Sequence, residues 1–157
     1  FRFSMLTGMR KGEIVKIERS WIDGSVIHLP AEAAKTAVGR TVAMGVEARR
    51  LLGLILSLGF SPCVWGINTL TLPGEFIKLK RRAGIRAITD SAGRELQADL
   101  HFHDARAYFC TWAASPAEDG APRLSPMELA RQLGHSSTEM TMRYYRPDLR
   151  TLADRLK

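Results

Sequence analysis

Apolar residues recur at helical spacing along most of the chain, and they alternate with polar residues only near its beginning. The clearest helical pattern covers 46–58, where five apolar residues share one face before Gly59 ends the helix. These five residues are Val46, Leu51, Leu54, Ile55 and Leu58. Such a pattern is typical of an amphipathic helix.

Start and stop signals predict the remaining helices. Ser125 and Glu128 form a capping-box pattern, with Pro126 at the first helical position, and Ser136 and Glu139 repeat the pattern. The predicted helices are a first one ending at Gly8, a short one at about 10–17, and those over Pro73–Ala83, His103–Ala114, Ser125–Gly134, Ser136–Tyr145 and Leu149–Leu156.

The short β-prone runs Val26–Leu29 and Arg40–Met44 follow the turn signal Asp23-Gly24. The linker between them holds Lys35, Thr36 and Gly39, so we expect a small hairpin with a long tip. The predicted fold is mainly α with one small antiparallel β-sheet near the N-terminal end, an α+β arrangement.

Composition narrows the function classes. The chain has 157 residues, 45% of them hydrophobic and 25% charged, which suits one globular domain and excludes a disordered chain. Lys and Arg number 23 against 16 Asp and Glu, and this net charge of +7 favours a polyanionic partner, nucleic acid first and a membrane surface second. The longest apolar stretch, Leu51–Leu58, is too short to span a bilayer, so we expect no membrane partner.

Two cysteines, Cys63 and Cys110, are too few for a disulfide framework, and we expect a cytoplasmic protein with reduced thiols. The chain begins at Phe1 in an apolar pattern without a cap, which we interpret as a fragment cut inside its first helix. Such a cut would expose apolar surface around Phe1, Phe3 and Leu6.

Several residues could carry chemistry, although each also has an ordinary structural interpretation. His103 and Arg106 share a helix face near a helix N-terminus, which favours an anion, but could be a capping His beside a surface Arg. Tyr144 follows His135 by nine residues and could be a core residue. Arg10 could pair only with Glu13, and Lys35 could be a solvated turn residue.

The combination of these residues is more specific than any one of them. The phrases "TGMRKGEI", "KTAVGRTV", "HFHDARAYFCT" and "LGHSSTEMTMRYY" occur in this order from about Leu6 to Tyr145. In this respect the chain resembles the tyrosine recombinase (phage integrase) family, which implies a catalytic domain of that fold over 1–157, truncated at its N-terminus and without the N-terminal core-binding domain.

The resemblance implies a role for each residue. Tyr144 would be the nucleophile that forms a 3′-phosphotyrosyl link, Arg10 and Arg106 would clamp the phosphate, and Lys35 would protonate the leaving 5′-oxygen. His103 would be the general base on the tyrosine, His135 would hydrogen bond the phosphate, and Glu13 would support the first arginine. Two guanidiniums suit the charge of a phosphodiester in transfer, so no metal or other cofactor is expected.

The implied function is site-specific DNA recombination, for integration or excision, and the implied partner is double-stranded DNA. In the full-length parent the resemblance implies a homotetramer on DNA, associated with the nucleoid. Five basic residues in "KLKRRAGIR" are expected to face the DNA backbone: Lys78, Lys80, Arg81, Arg82 and Arg86.

Three alternatives remain open from the sequence. A type IB topoisomerase-like enzyme would relax DNA with the same residues, and a decayed mobile element could leave an inactive DNA-binding remnant. A metallohydrolase would use four side chains of the kinds that bind metals, namely His101, His103, Asp104 and His135.

Overall fold

The computed structural model of the chain describes residues 1–145 apart from 36, 87, 93, 94, 98 and 119. Its helices are α1 (Arg2–Thr7), α2 (Lys11–Ile14), α3 (Val46–Leu56), α4 (Leu72–Arg82), α5 (Asp104–Ala114), α6 (Pro126–Leu133) and α7 (Glu139–Met142). Its strands are β1 (Ile22–Asp23), β2 (Val26–Leu29), β3 (Arg40–Ala43), β4 (Ile88–Thr89) and β5 (Glu95–Gln97). The predicted fold class, mainly α with a small antiparallel sheet, is confirmed.

The predicted hairpin forms the main sheet. β2 and β3 pair antiparallel with Ile27 opposite Val42, and the side chains of both residues are fully buried. β1 adds a third strand beside β2, which the sequence analysis did not predict, and β4 pairs with β5 in a separate ribbon. The long tip of the hairpin lies beside α2, since Lys35 lines the same cleft as residues of that helix.

Two clusters of buried side chains form the core. The larger one joins α1, the main sheet and α3, and includes Phe3, Ile27 and Leu52. The smaller one lies between α5 and α6, around Phe109 and Leu133. The short turn between α1 and α2 passes between these clusters, and the candidate site residues lie around it.

Capping signals located several helix ends correctly. The side chain of Ser125 accepts the backbone N–H of Glu128, and the carboxylate of Glu128 accepts the backbone N–H of Ser125, which is the predicted capping box. Gly8 and Gly134 both end helices in the left-handed conformation, with φ of 69° and 63°.

The helix predicted over 46–58 forms as α3, but the apolar residues that share its predicted face do not all meet the core. Ala48 and Leu52 are buried, whereas Val46, Leu54 and Leu58 are 69%, 60% and 61% exposed. Apolar residues lie on several sides of this helix, so its periodicity alone did not identify the side that meets the core.

Two other expectations need correction. Phe3 is 1% exposed, and Phe1 stacks on Phe76 with ring centroids 5.3 Å apart, so the start of the chain does not expose the expected apolar surface. The second capping box does not form: α7 begins after Thr138 and ends at Met142, and the hydroxyl of Ser137 accepts the backbone N–H of Glu139. The helix predicted over 149–156 lies outside the described residues.

Candidate active site

The C-terminal end of α6 organises the site. The last carbonyl groups of a helix have no partner within the helix, and they lie at the negative end of its dipole. Here the carbonyl oxygens of Gln132 and Leu133 accept hydrogen bonds from three arginines that are far apart in the sequence. The left-handed turn at Gly134 ends the helix and leads directly to His135.

Arg106 is the most deeply buried of the three arginines, at 4% exposure. Its position in the first turn of α5 lets it donate to the carbonyl oxygen of Gly8 and, at 2.8 Å, to that of Leu133. Burial and the nearby charge of Arg10 lower the pKa of Arg106 to about 10. The side chain is therefore still a cation at neutral pH, and it links α1, α5 and α6.

Arg10 lies at the start of α2, held by the expected acidic partner. Its Nη1 donates to Glu13 at 3.1 Å and to the carbonyl of Leu133 at 3.3 Å, and its backbone N–H donates to Glu13 at 2.9 Å. Burial alone would raise the pKa of Glu13, but hydrogen bonds and charge from Arg40, together with those from Arg10, hold that pKa below its usual value. Glu13 is therefore an ionised carboxylate inside the site.

Sequence reasoning missed two residues that shape this arrangement. Arg40, at the start of β3, donates to both carboxylate oxygens of Glu13, at 3.0 and 2.8 Å. Gln132 is buried, and its side-chain amide donates to the carbonyls of Thr7 and Ala43 and accepts the N–H of Ala43. A polar residue on the apolar stripe of α6, beside Leu133, was the available signal for Gln132.

Four of the predicted catalytic residues line one cleft of about 970 Å³. Arg10 and Arg106 lie in it together with Lys35 from the hairpin tip and His103 from the start of α5. The side chains of Lys35 and His103 are exposed, so a ligand in the cleft can reach both. The structure thus brings a set of cationic and imidazole groups to one opening, although they come from four separate segments.

His135 lies just outside this lining and is half-buried. Its Nδ1 is 2.9 Å from the hydroxyl oxygen of Thr141, a fully buried residue of α7. Burial and the charges of Arg106, Arg10 and Arg40 lower the pKa of His135 to about 4. The imidazole is therefore neutral at pH 7, and among the described residues its Nε2 has no hydrogen-bond partner.

Tyr144 and Tyr145 follow α7 and have different surroundings. Burial and the neighbouring Cys110 raise the pKa of Tyr144, while the charge of Arg106 acts in the opposite direction. The hydroxyl of Tyr145 instead donates to the carbonyl of Leu124 at 2.5 Å, and burial raises the pKa of Tyr145 to about 12. Of the two tyrosines, Tyr144 is the one under the influence of a site arginine.

The basic residues of α4 are not equivalent. Lys80 forms an ion pair with Asp99 and is only 12% exposed, and Lys78 pairs with Glu75 on the surface. Arg81 and Arg82 in the last turn of the helix, and Arg86 beyond it, are exposed. The exposed arginines are thus the members of the predicted set that are most accessible to a DNA backbone.

Among the described residues, no group of three or more His, Cys, Asp or Glu side chains is arranged to hold a metal ion. The alternative metal site at His101, His103, Asp104 and His135 therefore does not form there. In the same part of the chain, no helix has both the length and the apolar character needed to cross a membrane.

Comparisons with solved structures show that the fold is shared with known proteins. A Tn1549 transposon integrase in complex with circular intermediate DNA superimposes with a TM-score of 0.72 at 19% identity, covering 99% of this chain and 58% of that one. XerA recombinase gives 0.66 at 22% identity, covering 98% and 56%, and the catalytic domain of bacteriophage HP1 integrase gives 0.62 at 21%, covering 98% and 77%. The chain thus spans a little over half the length of the first of these structures.

A comparison with curated protein sequences gives no match. The sequence model of the phage integrase family, in contrast, matches residues 1–150, nearly the whole chain. That match and the shared fold identify the chain as a member of the phage integrase family.

Proposed function

We propose that the chain is the catalytic domain of a site-specific DNA recombinase that cuts and rejoins double-stranded DNA through a tyrosine. The observation that carries the proposal is the convergence of Arg10 and Arg106 on the carbonyl of Leu133, at the edge of a cleft that also holds Lys35 and His103. Family membership and a net charge of +7 support DNA as the partner.

The two arginines are suited to a phosphodiester. A phosphate in transfer carries negative charge on its non-bridging oxygens, and planar guanidiniums donate to such oxygens in pairs. Arg106 is fixed by two carbonyls and Arg10 by Glu13 and one carbonyl, so little reorganisation is needed when charge develops. We assign both to stabilisation of the transition state.

The remaining residues would move the protons. In cleavage, the hydroxyl oxygen of Tyr144 attacks phosphorus and the bond from phosphorus to the 5′-oxygen breaks. His103 would accept the proton of the tyrosine, and Lys35 would give a proton to the departing 5′-oxygen. Rejoining is the reverse, with a 5′-hydroxyl attacking the phosphotyrosine and the tyrosine oxygen leaving, so the bond energy is conserved and no nucleotide has to supply it.

His135 would act as a neutral hydrogen-bond donor to the phosphate. A pKa of about 4 keeps it uncharged across the physiological range, so it would orient the phosphate without adding a proton of its own. The raised pKa of Tyr144 means that its hydroxyl is protonated before DNA binds, so deprotonation must accompany the attack.

The test uses the protein that carries this chain and duplexes selected from a randomised DNA library by binding. A nick placed next to the cleavage position traps the covalent complex, and the reaction is run in EDTA without nucleotide. We expect an adduct that maps to Tyr144 by mass spectrometry and disappears in Tyr144→Phe. A strict requirement for Mg²⁺, or an adduct that survives Tyr144→Phe, would contradict the proposal.

Recombination and relaxation are separated by their products. A recombinase should exchange strands between two sites on one plasmid and so excise the DNA between them, whereas a topoisomerase would relax the plasmid without strand exchange.

Because recombining two duplexes requires four strand cleavages, we propose that four copies of the full protein act together on DNA. The enzyme would then work in the cytoplasm, associated with the nucleoid.

A further inference from the structure

Arg40 is a buried arginine that does not line the cleft, yet it contacts the same carboxylate as Arg10. It begins β3, opposite Leu29 of β2, and its side chain is 6% exposed. Its Nε donates to the carbonyl of Gln132 at 3.1 Å, so the side chain joins the sheet to the end of α6. A buried guanidinium with three defined acceptors has its orientation fixed by them.

The carboxylate of Glu13 receives four hydrogen bonds, two on each oxygen. Oε1 accepts Nη1 of Arg40 at 3.0 Å and Nη1 of Arg10 at 3.1 Å. Oε2 accepts Nη2 of Arg40 at 2.8 Å and the backbone N–H of Arg10 at 2.9 Å. An ionised carboxylate has about four acceptor positions, so Glu13 is saturated.

This saturation limits what Arg10 can do. Within the part of the chain that the structure describes, the guanidinium of Arg10 uses only Nη1 for protein acceptors. Its Nε and Nη2 are left for a ligand in the cleft. If Arg40 were absent, one acceptor position on each oxygen of a buried anion would be open, and the forked pairing that guanidiniums prefer would draw more of the Arg10 guanidinium onto Glu13.

We propose that Arg40 is a positioning residue for Arg10. By occupying one acceptor position on each oxygen of Glu13 with a forked ion pair, Arg40 limits the guanidinium of Arg10 to one hydrogen bond with Glu13 and leaves Nε and Nη2 of Arg10 for a phosphate. The inference rests on the proposed function, since it specifies how the first phosphate-binding arginine is held ready. Arg40 itself touches neither DNA nor the reacting atoms in this arrangement.

The variants that test this are Arg40→Gln, Arg40→Lys and, as a matched control, Arg19→Gln. Arg19 is exposed and donates to the carbonyl of Leu56 outside the site. Single-turnover cleavage is measured at saturating DNA, at a temperature where each variant is fully folded by circular dichroism. Loss of one fixed electrostatic group typically costs about 10²-fold in rate, so loss of its support in Arg40→Gln should cost at least about 10-fold.

The pattern across variants separates positioning from stability. The DNA concentration at half-saturation should change little in Arg40→Gln, while the saturated rate falls. Arg40→Lys should recover part of the rate, because an ammonium restores the charge but cannot donate to both oxygens in a fork. Arg19→Gln should match the wild type. An Arg40→Gln rate within twofold of the wild type at saturating DNA would overturn the proposal.

A second readout does not depend on cleavage. The Nε–H resonance of Arg10, assigned with Arg10→Lys, should shift in Arg40→Gln and stay in place in Arg19→Gln. If the wild type formed no Tyr144 adduct, the proposed function would fail while this resonance still reported on Arg40. An Arg10 resonance that does not move in Arg40→Gln would overturn the positioning role by itself.

Discussion

Arg10 and Arg106 donate to the same atom, the carbonyl oxygen of Leu133, at 3.3 and 2.8 Å. The end of α6 therefore sets the separation between the two guanidiniums, although neither belongs to that helix. The last carbonyls of a helix lack partners within the helix and lie at the negative end of its dipole, so this one stabilises both cations without adding a side chain to the cleft. The relative placement of the two guanidiniums is thus built into the folded domain.

Replacing Arg106 by Lys should lower the cleavage rate by about 10²–10³-fold, which is typical for loss of one preorganised donor. A single ammonium cannot reach both the Gly8 and the Leu133 carbonyls, so the free energy of unfolding should also fall by about 1–3 kcal/mol. Single-turnover cleavage and urea unfolding measure the two effects. Cleavage within a few-fold of the wild type would show that Arg106 only stabilises the fold.

The two adjacent tyrosines should respond differently to loss of their hydroxyl groups. Tyr145→Phe removes a hydrogen bond to the carbonyl of Leu124, so it should lower the free energy of unfolding by about 1 kcal/mol and leave cleavage in place. Tyr144→Phe should abolish the covalent adduct with a smaller change in unfolding. The measurements are adduct formation and urea unfolding on both variants. A reversed pattern would move the nucleophile to Tyr145.

Local signals in the sequence located much of this fold. The capping box at Ser125, the left-handed glycines at 8 and 134 and the hairpin strands are decided by residues within a few positions of each other, so they were predicted correctly. Which side of α3 is buried was not predicted, since it depends on which distant segments cover the helix. The strands β1, β4 and β5 were missed because two or three residues carry no measurable periodicity.

The site shows the same division. Arg10 and His103 were predicted from the combination of four sequence phrases, and the structure places both in one cleft. Arg40 and Gln132 act through hydrogen bonds to residues 27 to 125 positions away, and such partners leave no local pattern. The surroundings of Tyr144 and Tyr145 likewise depend on how α5 and α6 pack.

The titration of His135 should make the wild type lose stability in mild acid. The pKa is about 4 in the folded protein against an ordinary value of 6.5. As the pH falls from 6.5 towards 4, the unfolded chain takes up a proton that the folded protein does not, so unfolding becomes easier; above 6.5 this contribution is constant. His135→Gln removes the effect, so the stability of the wild type relative to this variant should decrease between pH 7.5 and 5.

Urea unfolding of both proteins at pH 7.5, 6 and 5 provides the measurement. Carboxylates and other groups titrate in both proteins, so their contribution to the free energy of unfolding is absent from the difference between wild type and variant. A difference in stability that stays constant or increases in acid would mean that His135 is not held in its neutral form.

Gly8 should tolerate no side chain. It has a φ of 69°, and a Cβ there would lie 2.6 Å from a ring carbon of Phe109 and 2.7 Å from Leu133. The left-handed backbone alone costs about 1–2 kcal/mol for alanine, and the overlap adds about 1–3 kcal/mol. Because the carbonyl of Gly8 also accepts Arg106, cleavage should fall together with stability.

Gly53→Ala is the matched control for Gly8→Ala, since a Cβ at Gly53 meets nothing within 4 Å and the residue lies in α3, outside the cleft. Thermal unfolding and cleavage are measured for both variants. Equal stabilities for the two would indicate that the close packing of α1 against α5 and α6 does not depend on Gly8.

The exposed arginines of α4 should determine part of the salt dependence of DNA binding. Arg81 and Arg82 are exposed at the end of this helix, whereas Lys80 is already paired with Asp99. Each phosphate neutralised by a cation adds about 0.9 to the slope of log K against log salt concentration. Arg81→Gln and Arg82→Gln should each reduce the slope by up to that amount, and the loss should be similar on every duplex sequence, because phosphate contacts do not identify bases.

Arg2→Gln is the control for net charge. It removes the same charge from an exposed ion pair with Glu47, outside α4, and it should leave the slope unchanged. Fluorescence anisotropy on labelled duplexes at several salt concentrations measures all three. Equal slopes for the α4 variants and the wild type would place the DNA on another face of the domain.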